Sequence, residues 1–270
     1  KIMTAMSKIL DQYYTKPECA KKFYDEIKSK IDLNQADVLL EPSAGTGSFF
    51  NLMDRSKRVG LDLDPRCPEI DTQDFLEWCA PINKKIYTIG NPPFGRNSNL
   101  AVKFFNHAAE FSNAIAFILP KTFRKISIIN RLNLYFHLMY DEDVLQNSFI
   151  FENKSYDVSC CSQIWIKKSK KRKKYKVLRF EEFKNYFEIV EPELADFSIQ
   201  RVGSAAGKIR EENIKSNKYD YFIKQHHPEV LDIFKEIDFE TVKYNTAGNP
   251  SISANELLTL WKNIATTRGI

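Results

Sequence analysis

The sequence predicts an α/β protein with an open, largely parallel sheet and helices on both faces. Short apolar runs alternate with helical repeats through the first two thirds of the chain. This alternation is typical of parallel strands joined by crossover helices. Several apolar runs end in glycine, proline or acidic residues, as buried strands do where they enter a loop.

The individual elements follow from these repeats in chain order. Apolar side chains recur every three to four positions after Pro17, which predicts an amphipathic helix up to residue 30. Residues 36–40 form an apolar run that ends at Glu41-Pro42, and they predict the first strand. Further helices are expected at residues 49–53 and 100–111, and further strands at residues 58–63, 85–90, 114–119 and 159–167.

Length and a change of composition predict two domains. The 270 residues exceed a typical single domain but are too few for two large ones. After residue 168 the alternating pattern gives way to charged segments with scattered aromatic residues. The sequence therefore predicts a larger domain over residues 1–168 and a small basic region over residues 169–270.

The overall composition is that of an ordinary globular protein, with 43% hydrophobic and 28% charged residues. The longest apolar stretch, residues 114–120, is well short of the roughly 18 residues of a membrane helix, and we expect a cytoplasmic protein. The five cysteines form neither a CxxC pair nor a Cys/His set with zinc spacing. We therefore expect reduced thiols and no metal site.

The first candidate binding element is the turn EPSAGTG at residues 41–47. It lies between a predicted strand and a predicted helix, where glycines in a doubly wound sheet let a ligand approach the backbone. No Gly-Lys-Ser/Thr sequence follows, and the glycines do not complete a dinucleotide fingerprint. The turn alone therefore fits a ligand-binding loop and an ordinary tight turn equally well.

Two acidic residues follow at the expected ends of the next strands. Asp62 ends the second strand, where a carboxylate can accept hydrogen bonds from ribose hydroxyls. Asp74 follows at a spacing that suits a short third strand, where it could accept from an adenine amino group while Phe75 flanks the ring. Each acid could instead cap a turn or helix. A glycine turn and two acids at successive strand ends are less expected by chance together than any one of these features is by itself.

The most specific motif is Asn91-Pro92-Pro93-Phe94, directly after the strand predicted at residues 85–90. The two prolines fix two φ angles and remove two backbone donors, so the loop presents carbonyl oxygens in a rigid geometry. Such a loop suits an amine, because the Asn91 side-chain oxygen and the Pro92 carbonyl can accept its two hydrogens. The nitrogen lone pair is then aimed at a methyl donor. Phe94 can stack on the base that carries the amine, worth roughly 1–3 kcal/mol.

In this order, EPSAGTG, GLDLDP, DFL and NPPF resemble the motifs of the gamma-class N6-adenine DNA methyltransferases of restriction-modification systems. The resemblance covers roughly residues 9–168. It implies a Rossmann-like S-adenosylmethionine-dependent methyltransferase fold with a mostly parallel seven-stranded sheet. It also implies S-adenosylmethionine as cofactor and adenine N6 in double-stranded DNA as substrate, with the base flipped out of the duplex. A cognate restriction endonuclease is a partner that the resemblance admits.

The resemblance assigns a role to each matching residue. Residues 12–15, QYYT, resemble the family segment that touches the cofactor, and residues 91–94 hold the target base. A second aromatic ring against that base matches Phe151 best, with Phe149 as a close competitor, and core packing is equally open to both. The implied cofactor site comprises Gln12, Tyr13, Tyr14, Thr15, Glu41, Pro42, Ser43, Ala44, Gly45, Gly47, Asp62, Leu63, Asp74, Phe75 and Asn91.

The chain departs from the family pattern in two respects. The family more often carries tyrosine where this chain has Phe94, and the region after residue 168 matches no family motif. A basic run at residues 167–176 holds eight Lys or Arg in ten positions. Such runs are usually solvated loops, but here contact with phosphates is expected, which makes binding salt-dependent. The candidate nucleic-acid-binding residues are Lys167, Lys168, Lys170, Lys171, Arg172, Lys173, Lys174 and Lys208.

Other functions stay open beside DNA methylation. Related enzymes that methylate adenine or guanine amines in ribosomal RNA share the NPPF loop, and protein-glutamine methyltransferases use a similar loop. A catalytically silent nucleic-acid-binding subunit could keep the fold. The basic region and the QYYT segment favour nucleic acid over protein, and the complete set of motifs disfavours a silent subunit.

Overall fold

The computed structural model describes residues 14–145, 148–151, 154–156, 158–212 and 219–270. The chain divides into two compact units, Lys1–Lys174 and Tyr175–Ile270. The division falls after Lys174 rather than at residue 168. The reason is that the N–H groups of Lys168 and Arg172 donate to the carbonyls of Tyr135 and Leu134, which ties this segment to the first unit.

The strands are β1 Tyr14–Thr15, β2 Val38–Glu41, β3 Arg58–Asp62, β4 Asp71–Thr72, β5 Ile86–Gly90, β6 Ser112–Pro120, β7 Phe136–Asp143, β8 Phe149–Phe151, β9 Lys154–Tyr156, β10 Cys160–Lys167, β11 Phe187–Ile189, β12 Phe197–Ile199, β13 Ile209–Arg210 and β14 Tyr221–Gln225. The α-helices are α1 Pro17–Lys30, α2 Asn99–Phe111, α3 Ile126–Ile129, α4 Val230–Glu236, α5 Glu240–Lys243 and α6 Ala254–Arg268. Short 3-10 helices cover Leu33–Gln35, Phe50–Leu52, Phe75–Glu77, Arg96–Ser98, Lys121–Arg124, Phe180–Phe183 and Pro192–Leu194.

The first unit is built on a seven-stranded sheet with the order β4-β3-β2-β5-β6-β10-β7. The pairs from β4 to β6 are parallel, and β10 is antiparallel to both of its neighbours. A mostly parallel sheet of seven strands with helices on both faces confirms the predicted Rossmann-like fold. Strands β1, β8 and β9 form a separate small antiparallel sheet.

Hydrophobic cores lie on both faces of the large sheet. Leu39 packs with Phe23 of α1 on one face, and its neighbour Leu40 packs with Phe105 of α2 on the other. This alternation is what a strand buried on both faces requires. The end of the sheet where β2, β3 and β5 finish is called the carboxyl edge below, and the opposite end is called the amino edge.

Two elements differ from the sequence prediction. The helix expected at residues 49–53 is a single 3-10 turn, Phe50–Leu52, because Asp54 begins a new turn by accepting hydrogen bonds from the N–H and hydroxyl of Ser56. Strand β7 was not predicted. It lies at the end of the sheet and is partly exposed, so its sequence has neither an apolar run nor a clean alternation.

The second unit has a hydrophobic core of its own. Its antiparallel sheet has the order β11-β14-β12-β13, and helices α4 and α6 contribute to the same core. Trp261 of α6 is 2% exposed and contacts the rings of Phe187 and Phe234. The aromatic residues that look scattered in the sequence therefore converge in the fold. None of the helices in the described part of the chain has the length and apolarity to span a bilayer.

Candidate active site

A cleft opens at the carboxyl edge, with an empty volume of about 990 Å³ that includes its open mouth. Most of the residues assigned from the sequence to cofactor binding meet there. The lining residues are Tyr14, Thr15, Glu41, Pro42, Ser43, Ala44, Gly45, Thr46, Ser48, Asp62, Leu63, Gln73, Asp74, Phe75, Leu76, Asn91, Pro93, Leu100 and Phe104.

The glycine turn is held against the end of β3. The N–H of Gly45 donates to Asp62 Oδ2 at 2.7 Å, and the N–H of Asp64 donates to Asp62 Oδ1 at 2.8 Å. Gly45 has φ +48°, and a Cβ at this position would lie 2.8 Å from Cε1 of Tyr14. Both the positive φ and the close ring therefore require glycine.

Glu41 ends β2 beneath this turn and is 2% exposed. Its Oε2 accepts the N–H of Phe50 at 2.6 Å, which holds the first turn after the glycines. Burial raises the pKa of the Glu41 carboxyl well above its usual range, and the N–H groups of Phe50 and Phe49 offset part of this effect. Glu41 therefore anchors the loop from below.

Asp74 and Phe75 lie at the start of the 3-10 turn Phe75–Glu77, beside the cleft. Asp74 Oδ1 accepts the N–H of Leu76 at 2.9 Å and so caps the 3-10 turn, while the residue also lines the cleft. Phe75 is 1% exposed, and its ring packs against Phe104 with centroids 5.0 Å apart. The ring of Phe75 is therefore largely part of the core floor below the cleft.

Asn91 follows β5 and is connected to two other segments of the cleft. The hydroxyl of Ser43 donates to the Asn91 carbonyl at 2.9 Å. The Asn91 Nδ2 donates to Thr15 Oγ1 at 3.1 Å, and the Ser48 hydroxyl donates to the Thr15 carbonyl at 2.7 Å. The glycine turn, β1 and the Asn-Pro-Pro loop therefore form one hydrogen-bonded assembly.

The other residues of the NPPF loop differ in how they are placed relative to the cleft. Pro92 is buried and Phe94 is partly buried, and neither lines the cleft, whereas Pro93 does. The Phe94 carbonyl accepts the N–H groups of Leu100 and Ala101 at the start of α2. A stacking role for Phe94 therefore depends on the exposed part of its ring.

The segment after Phe94 has unusual backbone geometry. Gly95, Asn97 and Ser98 have φ values of 66°, 54° and 61°. The left-handed region costs an L-residue other than glycine about 1–2 kcal/mol, although asparagine visits it more readily. The Ser98 hydroxyl lies 2.7 Å from the Thr122 hydroxyl. Strain of this kind is characteristic of segments whose shape is fixed for function.

Some assigned residues are placed elsewhere. Gln12 and Tyr13 lie outside the described residues, as does the side chain of Phe151. Gly47 does not line the cleft, and its φ of +81° serves the turn instead. Phe149 is 1% exposed in the core beside α1, so its ring cannot stack on a base and that assignment is corrected.

The basic run lies at the other end of the sheet. Because β10 is antiparallel to β6, it begins at the carboxyl edge with Cys160 opposite Pro120 and ends at the amino edge with Lys167. Its eight residues span roughly 26 Å at 3.3 Å per residue. The lysine side chains of residues 167–174 are exposed there. Lys208 is exposed in the second unit.

Arg172 differs from the lysines around it. Its guanidinium donates to the carbonyls of Phe136, Ile129 and Leu132 at 3.1, 2.6 and 3.1 Å. These bonds satisfy carbonyls in the turn that leads into β7. The expectation that Arg172 contacts nucleic acid is therefore corrected, because its side chain is committed to the fold.

Several residues that line the cleft were not predicted from the sequence. Leu100 and Phe104 lie four positions apart on α2, so a helical face continuing from the NPPF loop would have indicated them. Ser48 and Gln73 carry no comparable signal, since each is a single polar residue beside a motif. The pKa of Tyr14 is raised by burial, and a hydrogen bond from Arg66 partly offsets the rise. No group of three or more potential metal ligands occurs within the described ranges.

Solved structures similar to this chain include several methyltransferases. A Pyrococcus horikoshii protein described as a candidate RNA methyltransferase is 17% identical with a TM-score of 0.46, over 58% of this chain and 87% of that one. Magnesium protoporphyrin IX methyltransferase from Synechocystis, solved with bound S-adenosylmethionine, is 10% identical with a TM-score of 0.43, over 56% and 79%. A methylase candidate from Haemophilus influenzae is 15% identical with a TM-score of 0.39, over 55% and 98%.

No protein-family model and no curated protein matches the chain. At these identities, the likeness to solved structures concerns the fold alone.

Proposed function

We propose that this protein methylates the exocyclic N6 amine of adenine in DNA, using S-adenosylmethionine and a target base rotated out of the duplex. The observation that carries the proposal is the direct connection between the glycine turn and the Asn-Pro-Pro loop through the Ser43 hydroxyl and the Asn91 carbonyl. This connection would hold the edge proposed to bind the nucleoside and the loop proposed to bind the amine in one cleft.

The residues of the cleft fit the cofactor. The positive φ of Gly45 keeps the turn free of a side chain, and Asp62 and Asp74 both line the cleft at the ends of neighbouring strands. Asp62 would accept from the ribose hydroxyls and Asp74 from the adenine amino group. S-adenosylmethionine would supply a methyl group already activated by its attachment to a sulfonium. Positioning of the amine is then the main task of the protein.

The amine is a poor nucleophile because its lone pair is delocalised into the ring. Asn91 Oδ1 and the Pro92 carbonyl would accept its two hydrogens and hold the nitrogen toward tetrahedral geometry. The same two dipoles would stabilise the positive charge that develops on the nitrogen as its bond to carbon forms. The bond between the methyl carbon and the sulfonium sulfur would break as the bond to nitrogen forms, which would leave S-adenosylhomocysteine. The nitrogen would then lose one hydrogen to water as a proton. Phe94 would pack on one face of the base, and Phe151 remains the candidate for the other.

The test is transfer of tritiated methyl from S-adenosylmethionine to duplex DNA, single-stranded DNA and total RNA in parallel, followed by nucleoside digestion and mass spectrometry. Labelled N6-methyladenine from DNA is the expected result. Label confined to RNA would replace the DNA proposal with an RNA methyltransferase. Cofactor binding without any labelled nucleoside would contradict the proposed substrate class, and absence of cofactor binding would favour a silent binding subunit.

A further inference from the structure

We propose that Thr15 is a positioning residue for Asn91, whose amide nitrogen it engages so that the amide oxygen is presented to the substrate amine. This inference rests on the proposed function and deepens it. The resemblance placed Thr15 only among the residues that touch the cofactor. The structure adds a specific contact, Asn91 Nδ2 to Thr15 Oγ1 at 3.1 Å.

Thr15 is itself held in place from several sides. It is 6% exposed, and its carbonyl accepts the Ser48 hydroxyl at 2.7 Å. The next residue, Lys16, donates its N–H to the Ser148 carbonyl at 2.9 Å, and β1 pairs with β8 in an antiparallel ladder. The backbone of Thr15 is therefore fixed, and its buried side chain lies beside Asn91.

The orientation of the Asn91 amide matters because its two ends have opposite hydrogen-bonding character. The nitrogen end donates two hydrogens and the oxygen end accepts. An exocyclic amine approaching the cleft also offers hydrogens, so only the oxygen end can receive it. If the amide rotated by half a turn, donors would face donors and the lone pair of the substrate would lose its alignment.

One hydrogen bond holds the main chain of Asn91, and another holds its side chain. Ser43 fixes the Asn91 carbonyl at 2.9 Å, which sets where the residue leaves β5. The bond to Thr15 then restrains rotation of the side-chain amide. Loss of the Thr15 acceptor should therefore reduce the rate of methyl transfer without altering the cofactor side of the cleft.

The experiment compares Thr15→Val, which keeps the shape and removes the hydroxyl, with Thr15→Ser, which keeps the hydroxyl. Thr15→Val should lower kcat about 10–100-fold, the loss expected for one hydrogen bond of about 1–3 kcal/mol. Its Kd for S-adenosylhomocysteine should stay within about twofold of the wild type. Thr15→Ser should recover most of kcat.

Thr88→Val is the matched control for loss of a buried threonine hydroxyl. Thr88 lies in β5, is fully buried, and its Oγ1 is 2.7 Å from the Ser112 hydroxyl, away from the cleft. Thr88→Val should lower Tm and leave kcat unchanged. If it lowers kcat as much as Thr15→Val does, a general loosening of β5 explains both, and the positioning role is overturned.

A second readout does not need methyl transfer at all. In ¹⁵N-labelled protein, the side-chain amide signal of Asn91, assigned by its loss in Asn91→Ala, should shift and exchange faster with solvent in Thr15→Val. It should be restored in Thr15→Ser. This separates the two proposals, because the amide signal can respond even if no nucleic acid is methylated. An unchanged signal in Thr15→Val, or an unchanged kcat, would overturn the inference. A parallel loss of cofactor affinity and kcat would make Thr15 a cofactor ligand instead.

Discussion

The two edges of the large sheet both carry sequence patterns that predict function, but they are built differently. At the carboxyl edge, specific hydrogen bonds hold the residues that line the cleft: Ser43 and Thr15 bond to Asn91, and the N–H of Gly45 donates to the Asp62 carboxylate. At the amino edge, a dense run of lysines is exposed, and its only arginine supports a turn. Charge density in a sequence is therefore a weaker guide to chemistry than fixed geometry.

The largest difference in methyl transfer between variants of the two edges should appear when Asn91 is changed to alanine. Methyl transfer should fall by at least about 10³-fold, since the amine loses an oriented acceptor in a preorganised site. Cofactor affinity and Tm should change little. The control is Asn34→Ala, an exposed asparagine in the 3-10 turn at the amino edge whose backbone, rather than side chain, bonds to Lys57. Parallel loss of cofactor binding in Asn91→Ala would remove Asn91 from the substrate side of the cleft.

At the amino edge, a change of Arg172 should lower stability and leave methyl transfer nearly unchanged, the opposite of what is expected for Asn91. Arg172→Gln removes the guanidinium donor from three carbonyls, of which that of Ile129 keeps the N–H of Leu132, and should lower the free energy of unfolding by about 2–3 kcal/mol. Measured at a temperature well below the melting transition, methyl transfer should stay close to wild type. A variant with normal stability and weaker nucleic-acid binding would restore Arg172 to the set of phosphate contacts.

Whether a structural feature of these edges could be predicted from the sequence depends on whether its residues leave a local signal. The sheet and the positions of Asp62, Asp74 and Asn91 could be predicted, because strand ends followed by glycine, acid or proline leave local signals. The contact of Thr15 with Asn91 joins residues 76 positions apart and leaves none. The core of the second unit was also hidden, since its aromatic residues meet only after the chain folds.

The exposed lysines of the amino edge provide the next test, which is whether the basic run contacts nucleic acid. Lys170, Lys171, Lys173 and Lys174 changed together to glutamine should weaken binding to duplex DNA. The slope of log K against log salt should also become shallower, by up to about 0.9 for each phosphate that is no longer neutralised. The matched control changes four other exposed lysines to glutamine, namely Lys22, Lys28, Lys84 and Lys103. Equal slopes in both variants would make the basic run a solvated segment.

The smallest effect should come from two asparagines with left-handed backbones, one at each edge. Asn97 has φ 54° in the segment after the NPPF loop, and Asn83 has φ 57° in the turn before β5 at the amino edge; both are exposed. Glycine adopts this conformation without strain, so Asn97→Gly and Asn83→Gly should each change the free energy of unfolding by no more than about 1 kcal/mol.

Activity should distinguish these two variants where stability does not. Asn97→Gly relaxes a segment that holds the loop of Asn91, so it should lower methyl transfer, whereas Asn83→Gly should leave it unchanged. Thermal melts and transfer rates of the two variants, measured side by side, check this expectation. If both keep full activity, the backbone strain after Phe94 is a feature of the turn alone, and the geometry of the carboxyl edge rests on its hydrogen bonds.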